Sequence, residues 1–189
     1  MLRMKCANLI LAVVWGAALA VNAIAAPLTI DFQQSKIQVA VSSTIDSFVG
    51  HLDKFESAID CDPKDALPAK ADVTFDFANL KTGNPDRDAT MLGWLAYATN
   101  PMASFHLSGW KQTGTTNVAS GRLTIHGVSK PVEMPTLVTH EGTKWEISGQ
   151  VTLDYRDFNL PKIRKALVLT VDPKLVVTFR LVGQLSPSK

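Results

Sequence analysis

Cysteine is scarce in this chain of 189 residues, which holds only Cys6 and Cys61. Cys6 lies in the N-terminal segment whose removal is predicted below, and one remaining thiol cannot form an intramolecular disulfide. The chain is therefore not a disulfide-stapled domain. We interpret Cys61, which lies beside the turn signal Asp62-Pro63, as structural, and an intermolecular disulfide or a redox role is the alternative.

Long hydrophobic runs are absent after the N-terminus. The first residues carry Arg3 and Lys5, then an apolar run over residues 9–20, then Ala23-Ile24-Ala25. This order is typical of a signal peptide that is cleaved after a small-residue A-x-A site, and the run is short for a membrane span. We predict a signal peptide over residues 1–25 and a single exported domain over residues 26–189. We expect the mature domain in the periplasm, without stable membrane insertion; a retained signal anchor is the alternative.

Excess charge of either sign is also missing. The full chain has 19 basic and 17 acidic residues, and the predicted signal peptide contains two of the bases and no acid. The mature domain is therefore neutral, and its only dense basic group is Lys162, Arg164 and Lys165. Because nucleic-acid binding needs a basic face that neutralises many phosphates, we expect no nucleic-acid partner.

Local catalytic and metal-binding motifs are absent. The four histidines form no H-x-H or H-E-x-x-H spacing, and the chain has no G-x-S-x-G turn and no glycine-rich loop before a helix. The acidic pairs Asp86/Asp88 and Asp154/Asp157 could act as acid and base, but carboxylates at turns and helix starts are more often solvated or capping groups. We predict no catalytic residue, no metal site and no cofactor other than a bound lipid or quinone as ligand.

Alternation of apolar and polar residues is the dominant pattern. Ile37, Val39 and Val41 follow it, as do Leu123 and Ile125, and longer examples run over residues 145–155 and 175–185. Period-two alternation predicts strands with one buried and one wet face, which form antiparallel sheets. Turn signals separate eight or nine such strands, so we predict an all-β domain. Its apolar face is buried either against a second sheet or by closure into a barrel.

One segment breaks the alternation and predicts a short helix over about 85–98. Asn84 can cap it, Pro85 suits its first turn, and Asp86 and Asp88 favour its positive end. Met91, Trp94, Leu95 and Ala98 then fall on one face.

The inward side chains either fill the interior or surround one ligand, since small barrels do both. Composition and periodicity favour a tightly packed core. The residues predicted to line the interior are Phe48, Phe75, Phe77, Leu92, Trp94, Leu95, Phe105, Leu107, Leu123, Ile125, Leu153, Phe158 and Phe179, with Phe55 as a further inward aromatic.

Several ordered motifs carry a resemblance to a known family. The strongest is the run Gly121-Arg122-Leu123-Thr124-Ile125-His126-Gly127-Val128-Ser129-Lys130-Pro131-Val132. It is preceded by Asp31, Ser35, Thr44, Phe48, Gly50, Phe55, Thr82-Gly83, Arg87-Asp88, Pro101 and Phe105, and followed by Asp157-Phe158. From Leu28 to Leu185 the chain resembles the YceI-like family of periplasmic polyisoprenoid-binding proteins.

The resemblance implies an extended lipocalin-like antiparallel β-barrel of about eight strands with one helix. It also implies an isoprenoid lipid partner, a polyprenyl or quinone-type chain held in the lumen for carriage, storage or sequestration. Two other functions stay open: an enzyme acting on a prenyl or other lipid, and a ligand-free interaction module for a membrane redox or stress system.

Arg87 is the candidate for contacting the ligand's head group, because guanidinium suits phosphate and carbonyl oxygens. The alternative is a structural arginine that pairs with a nearby acid or carbonyl. Family members often read R-D-x-H-L-x-S-x-D-F in this segment, whereas Thr90, Met91, Gly93 and Leu95 stand here at the H, L, S and D positions.

Overall fold

The computed structural model describes residues 25–44, 46–165 and 169–186. The predicted signal peptide lies outside the described residues except for its last position. Within these ranges the strands are interrupted by one α-helix, α1 (Pro85–Trp94), and two short 3₁₀ helices, η1 (Phe77–Asn79) and η2 (Tyr155–Phe158). The strands are β1 (Ala26–Ile30), β2 (Lys36–Ser42), β3 (Ser47–Leu52), β4 (Glu56–Cys61), β5 (Lys70–Asp76), β6 (Leu80–Lys81), β7 (Met102–Thr113), β8 (Thr116–Ile125), β9 (Val128–Glu141), β10 (Lys144–Asp154), β11 (Arg164–Lys165), β12 (Leu169–Thr170) and β13 (Lys174–Leu185).

Eight antiparallel strands close into a barrel in the order β1-β4-β5-β7-β8-β9-β10-β13, and β13 returns to β1 through the pairs Leu28–Leu185 to Ile30–Gly183. The predicted all-β, lipocalin-like barrel with one helix is therefore confirmed. Closure removes the free sheet edges that an open apolar sheet would expose.

Strands β1 and β2 together form one wall of the barrel beside β13, with a turn between them. β1 and β2 pair with the same edge of β13, one after the other. Between them the Asp31 carboxylate accepts hydrogen bonds from the backbone N–H groups of Gln33 and Gln34. The Ser35 hydroxyl donates to the carbonyl of Val182 and accepts from the N–H of Val182, at 3.2 and 2.9 Å. The Ser35 hydroxyl thus satisfies the backbone N–H and carbonyl of Val182 on β13, at the point where β13 changes its partner from β1 to β2.

The helix starts as predicted and ends earlier. The Asn84 side chain accepts hydrogen bonds from the N–H groups of Asp86 and Arg87, with Pro85 in the first turn. The predicted continuation to Ala98 is wrong. Ala96 adopts a φ of 49°, its N–H bonds to the Gly93 carbonyl, and the N–H of Tyr97 bonds to the Leu92 carbonyl. These two bonds form a Schellman motif, which satisfies the last carbonyls and stops the helix.

Two strands end sooner than their alternation predicts. Phe77 and Tyr155 keep the inward parity of their strands, yet they lie in η1 and η2. In both places the preceding aspartate, Asp76 or Asp154, accepts a hydrogen bond from the N–H two residues ahead. A short acidic side chain that bonds its own backbone favours a turn over further strand.

The turn His126-Gly127 joins β8 to β9 as a two-residue hairpin, with Ile125 paired to Val128 and φ values of 51° and 71°. Both central residues are left-handed, as the twist-compatible type I′ turn requires.

Candidate functional site

The barrel interior is hollow. It contains one continuous cavity of about 860 Å³, lined from β2, β3, β5, β7, β8, β9, β10, β13 and α1. This volume lies within the roughly 300–1,000 Å³ of ligand pockets. The tightly packed core that composition favours is therefore wrong for the middle of the barrel.

The structure brings the predicted lining residues together. The cavity wall includes Phe48, Phe75, Phe77, Trp94, Leu95, Phe105, Leu107, Leu123, Ile125, Leu153, Phe158, Phe179 and the head-group candidate Arg87. Leu92 does not line the cavity; it packs against the core from α1. Phe55 is buried and packs its ring against Phe32, with centroids 5.0 Å apart, instead of facing the cavity. Ligand contact by the lining residues stays a prediction.

Sequence reasoning missed a second set of wall residues that share the same strand parity. The alternation predicts a buried strand face for Ile37, Val39 and Val41, and the structure adds these three residues to the cavity wall. Period-two alternation gives the face, so the signal was present. Leu160, Ile163 and Val171 carried no such signal, because they come from irregular chain between η2 and β13.

Glycines on the inner wall make room for two of the aromatic rings. A Cβ at Gly149 would lie 2.6 Å from Cζ of Phe179, its cross-strand partner, and one at Gly121 would overlap the ring of Phe105. Each ring therefore occupies the space that a side chain at the glycine would fill. Since a larger residue there would push each ring toward the axis, the two glycines help to keep the lumen open.

Most polar lining residues gather at one end of the cavity, and Thr136 on β9 lines it outside this group. The residues of the group come from the β2–β3 turn, from the segment before α1 and from the first turns of α1, and they are Ser43, Asp46, Thr82, Asn84, Asp86, Arg87 and Thr90. The Asp46 side chain is 71% exposed, so this end reaches solvent. The cavity thus has an apolar body and one polar mouth, an arrangement that suits an amphiphile.

Arg87 is the cation of this mouth, and its partners are weak. Its guanidinium carbon lies 4.0 Å from the centre of the Phe48 ring, a cation–π contact. Its Nη1 atom lies 3.8 Å from Oδ2 of Asp46, a long ion pair with an exposed partner. Its buried Nε atom has no hydrogen-bond partner among the described residues. Arg87 therefore retains donor capacity at the end of an apolar cavity, which is available for an acceptor on a ligand.

The neighbouring Asp88 fastens the start of α1 to the wall. Its carboxylate accepts from the N–H and the hydroxyl of Thr82, at 2.9 and 2.6 Å. Partial burial acts to raise the pKa of Asp88, but these hydrogen bonds hold that pKa below its usual value. The ionised carboxylate near the positive end of the helix fixes the position of Arg87, one residue away.

The other end of α1 is held by Trp94. Its indole Nε1–H donates to the Pro161 carbonyl at 2.9 Å, and its ring packs edge-on against Tyr155 with centroids 5.1 Å apart. Helix α1 and the segment after η2 thus lie together across the top of the cavity.

Cys61 lies away from the cavity wall and is fully buried. Burial, with a smaller contribution from the neighbouring Asp60, raises the pKa of its thiol to about 12. The group is a neutral core thiol at ordinary pH, as its structural interpretation requires.

The described residues contain neither a metal-ligand cluster nor a membrane-spanning helix. Within residues 25–44, 46–165 and 169–186, no three His, Cys, Asp or Glu side chains are grouped to hold a metal ion. No helix in this part of the chain has the length and apolar character needed to cross a bilayer.

Comparison with solved structures shows the same fold in two bacterial proteins. BcnA of Burkholderia cenocepacia superposes with a TM-score of 0.72 at 24% identity, over 82% of this chain and 100% of that chain. A polyisoprenoid binding domain from Saccharophagus degradans, implicated in plant cell wall breakdown, gives a TM-score of 0.64 at 16% identity, over 86% of this chain and 99% of that chain.

Sequence comparison gives curated relatives and a family. A UPF0312 protein of Yersinia pestis is 27% identical over 121 residues, which are 59% of this chain and 62% of that protein. The match thus spans about three fifths of the curated relative's length. The model of the YceI-like domain matches residues 28–182. With that match over most of its length, and with the same barrel, the chain belongs to the YceI-like family.

Proposed function

We propose that this protein binds one long-chain isoprenoid lipid, of the polyprenyl or quinone type, and carries or sequesters it without chemical change. The observation that carries the proposal is the single apolar lumen that ends at a polar mouth with an incompletely paired Arg87. The polyisoprenoid-binding domain with the same fold supports the choice of ligand class.

The volume of the lumen sets the scale of the hydrocarbon. A dry cavity of roughly 150 Å³ holds benzene, or roughly 25 Å³ per carbon. On that scale a lumen of about 860 Å³ accommodates on the order of 35 carbons, or about seven isoprene units. A chain of this length fits polyprenyl and quinone lipids better than ordinary single-chain fatty acids.

The polar mouth suits a compact acceptor group such as a phosphate or a quinone carbonyl. Arg87 supplies the donors, and the N-terminal end of α1 adds a partial positive charge beside it. Asp46 and Asp86 outnumber Arg87 among the charged residues of the mouth. The head group would therefore be held by the Arg87 guanidinium and the helix end, and not by a net positive charge of the mouth. We place the head group between α1 and the β2–β3 turn, with the chain running into the barrel.

The cellular location that we propose is the periplasm, and the signal-peptide pattern of residues 1–25 supports it. N-terminal sequencing of protein purified from the periplasmic fraction of its own host tests this location. We expect a mature chain that begins at Ala26; a chain that begins at Met1 in the membrane fraction contradicts it.

Native mass spectrometry of protein purified from its own host tests the ligand. We expect one bound lipid per chain, whose fragments identify a polyprenyl tail. Protein that arrives empty under conditions that preserve lipid complexes, and that binds no added polyprenyl phosphate or quinone, contradicts the proposal.

A further inference from the structure

Strand pairing is missing along one stretch of the barrel wall. β9 and β10 pair from Thr136–Gly149 to Glu141–Lys144, and the described residues form no pair between 128–135 of β9 and 150–154 of β10. We call these two segments the β9–β10 seam. Each strand is fully paired on its other side in this region, β9 with β8 and β10 with β13. The gap is therefore a local separation of two well-held strands.

Two prolines keep the seam from closing. Pro131 and Pro135 both lie in the unpaired part of β9. Proline has no N–H to donate and is confined in sheets to edges and bulges. The ladder stops at Thr136, immediately after Pro135, so the sequence itself sets where the pairing ends.

The seam lies beside the lumen, and only side chains separate the two. A smaller cavity of about 220 Å³ lies along it, and the side chains between this cavity and the lumen are apolar. Val132, Val151, Leu153 and Phe158 line both spaces. The outer rim is polar and is formed by Lys130, Glu133, Thr152, Asp154 and Asp157.

We infer that the β9–β10 seam is a side passage through which the hydrocarbon chain of the ligand enters and leaves the lumen. The inference rests on the proposed lipid-binding function and adds the route. Widening this seam breaks no ladder hydrogen bonds, whereas parting β9 from β8 or β10 from β13 beside it breaks several. The mouth at Arg87 is crossed instead by α1, which Asp88 and Trp94 fix to the wall.

A disulfide across the seam tests the passage. Continuing the register of β9 and β10 by three residues sets Glu133 opposite Thr152, and both side chains are exposed. The double variant Glu133→Cys/Thr152→Cys is oxidised and then loaded with a dansyl-labelled geranylgeranyl probe, whose transfer to phosphatidylcholine vesicles is timed. Cys61 is buried and does not compete for oxidation.

We expect release to slow by at least about tenfold in the oxidised variant, with recovery on reduction and with little change in equilibrium affinity, because a closed passage slows entry and exit alike. The matched control is Leu137→Cys/Ser148→Cys, a pair that already lies opposite in the sealed part of the same two strands. Its oxidation should leave the release rate unchanged.

A second variant removes the need for the disulfide to form. Pro131→Val/Pro135→Val restores two backbone donors to the edge of β9 and should also slow release. Unchanged release in both seam variants, or equal slowing in the control, overturns the passage while leaving lipid binding intact. Failure of the unmodified protein to bind any prenyl probe overturns the proposed function instead.

Discussion

Arg87 is the residue of the mouth whose unpaired donor best suits a ligand head group. Its Asp46 partner is exposed and distant, and one of its buried nitrogen atoms lacks an acceptor among the described residues. Arg156, in contrast, makes a bidentate contact with the Asp154 carboxylate through Nε and Nη2. The contrast between these two arginines gives a direct comparison.

Replacing Arg87 with leucine should weaken binding of a polyprenyl phosphate more than binding of the corresponding polyprenol. Hydrogen bonds to a charged group contribute roughly 1.5–3 kcal/mol, so we expect a loss of roughly tenfold to a hundredfold for the phosphate. Titration calorimetry with both ligands measures the difference. Arg156→Leu is the control, since Arg156 is exposed and lies outside the lumen wall; equal losses in both variants contradict the assignment.

The Gly149 position controls the bore of the lumen. Gly149→Ala places a methyl group 2.6 Å from Phe179 Cζ and from the Pro135 carbonyl oxygen. The ring must therefore turn toward the axis, and the backbone of β9 must move as well. We expect a loss of about 1–3 kcal/mol in the free energy of unfolding from the added strain, together with weaker binding of long prenyl chains. Urea denaturation and binding assays measure the two effects. Wild-type affinity for every chain length contradicts the steric argument.

Cys61 should be unreactive in the folded protein. Its burial and its pKa of about 12 keep the thiol neutral, so a disulfide-exchange reagent at pH 8 should label it only after unfolding. Because the folded pKa lies above the unfolded one, its contribution to stability is complete below the unfolded pKa and declines as pH rises from about 9 toward 12. Rapid labelling of the native chain at pH 8 contradicts the structural role.

At the scale of elements, α1 is held at both ends rather than along its length. Asn84 and Asp88 fix its start, the Schellman motif at Ala96 ends it, and Trp94 ties it to the segment after η2. No residue of the helix is fully buried, although Met91, Leu92 and Trp94 pack against the core. The helix is a cover over the lumen whose position depends on a few polar contacts.

Gly93 lies inside this helix in open space, with no atom within 4 Å of an added Cβ. Gly93→Ala should therefore stabilise the protein by up to about 1 kcal/mol through helix propensity. Thermal unfolding followed by circular dichroism measures the shift, and Gly149→Ala serves as the opposite case. A fall in melting temperature for Gly93→Ala indicates that this part of the helix requires glycine for a reason other than propensity.

At the scale of the whole molecule, a ring of eight antiparallel strands surrounds a hollow interior. Burial contributes about 0.8 kcal/mol per CH₂ group, so each isoprene unit adds roughly 3–4 kcal/mol before the cost of ordering the chain. Affinity should therefore climb with prenyl chain length and level off near about seven units, where the lumen of about 860 Å³ is full. A series of polyprenyl phosphates of increasing length tests this dependence. Affinity that is independent of length argues against a chain held along the lumen.

Much of this architecture is readable from local pattern. Alternation identifies the inward faces, so Phe75, Phe77 and Phe179 fall on the lumen wall as predicted, although Phe55 does not. Asn84-Pro85 places the start of the helix. These features depend on contacts between residues close in sequence, and the same local chemistry operates in any fold. The early strand ends at Asp76 and Asp154 also come from local contacts, because each carboxylate accepts a hydrogen bond from the N–H two residues ahead. The alternation continues past both aspartates, so it predicts strands that are too long.

Tertiary structure alone decided whether the inward residues fill the barrel or surround a space. Barrel bore depends on strand number, tilt and the distant pairs that let Phe105 and Phe179 lie over Gly121 and Gly149, and none of these is encoded in neighbouring residues. The same holds for the incomplete pairing of Arg87, since its partners Phe48 and Asp46 come from a distant part of the chain. The end of the β9–β10 pairing is set locally, by Pro131 and Pro135. Sequence determined which side chains face inward; long-range closure of the sheet determined that they enclose a lumen.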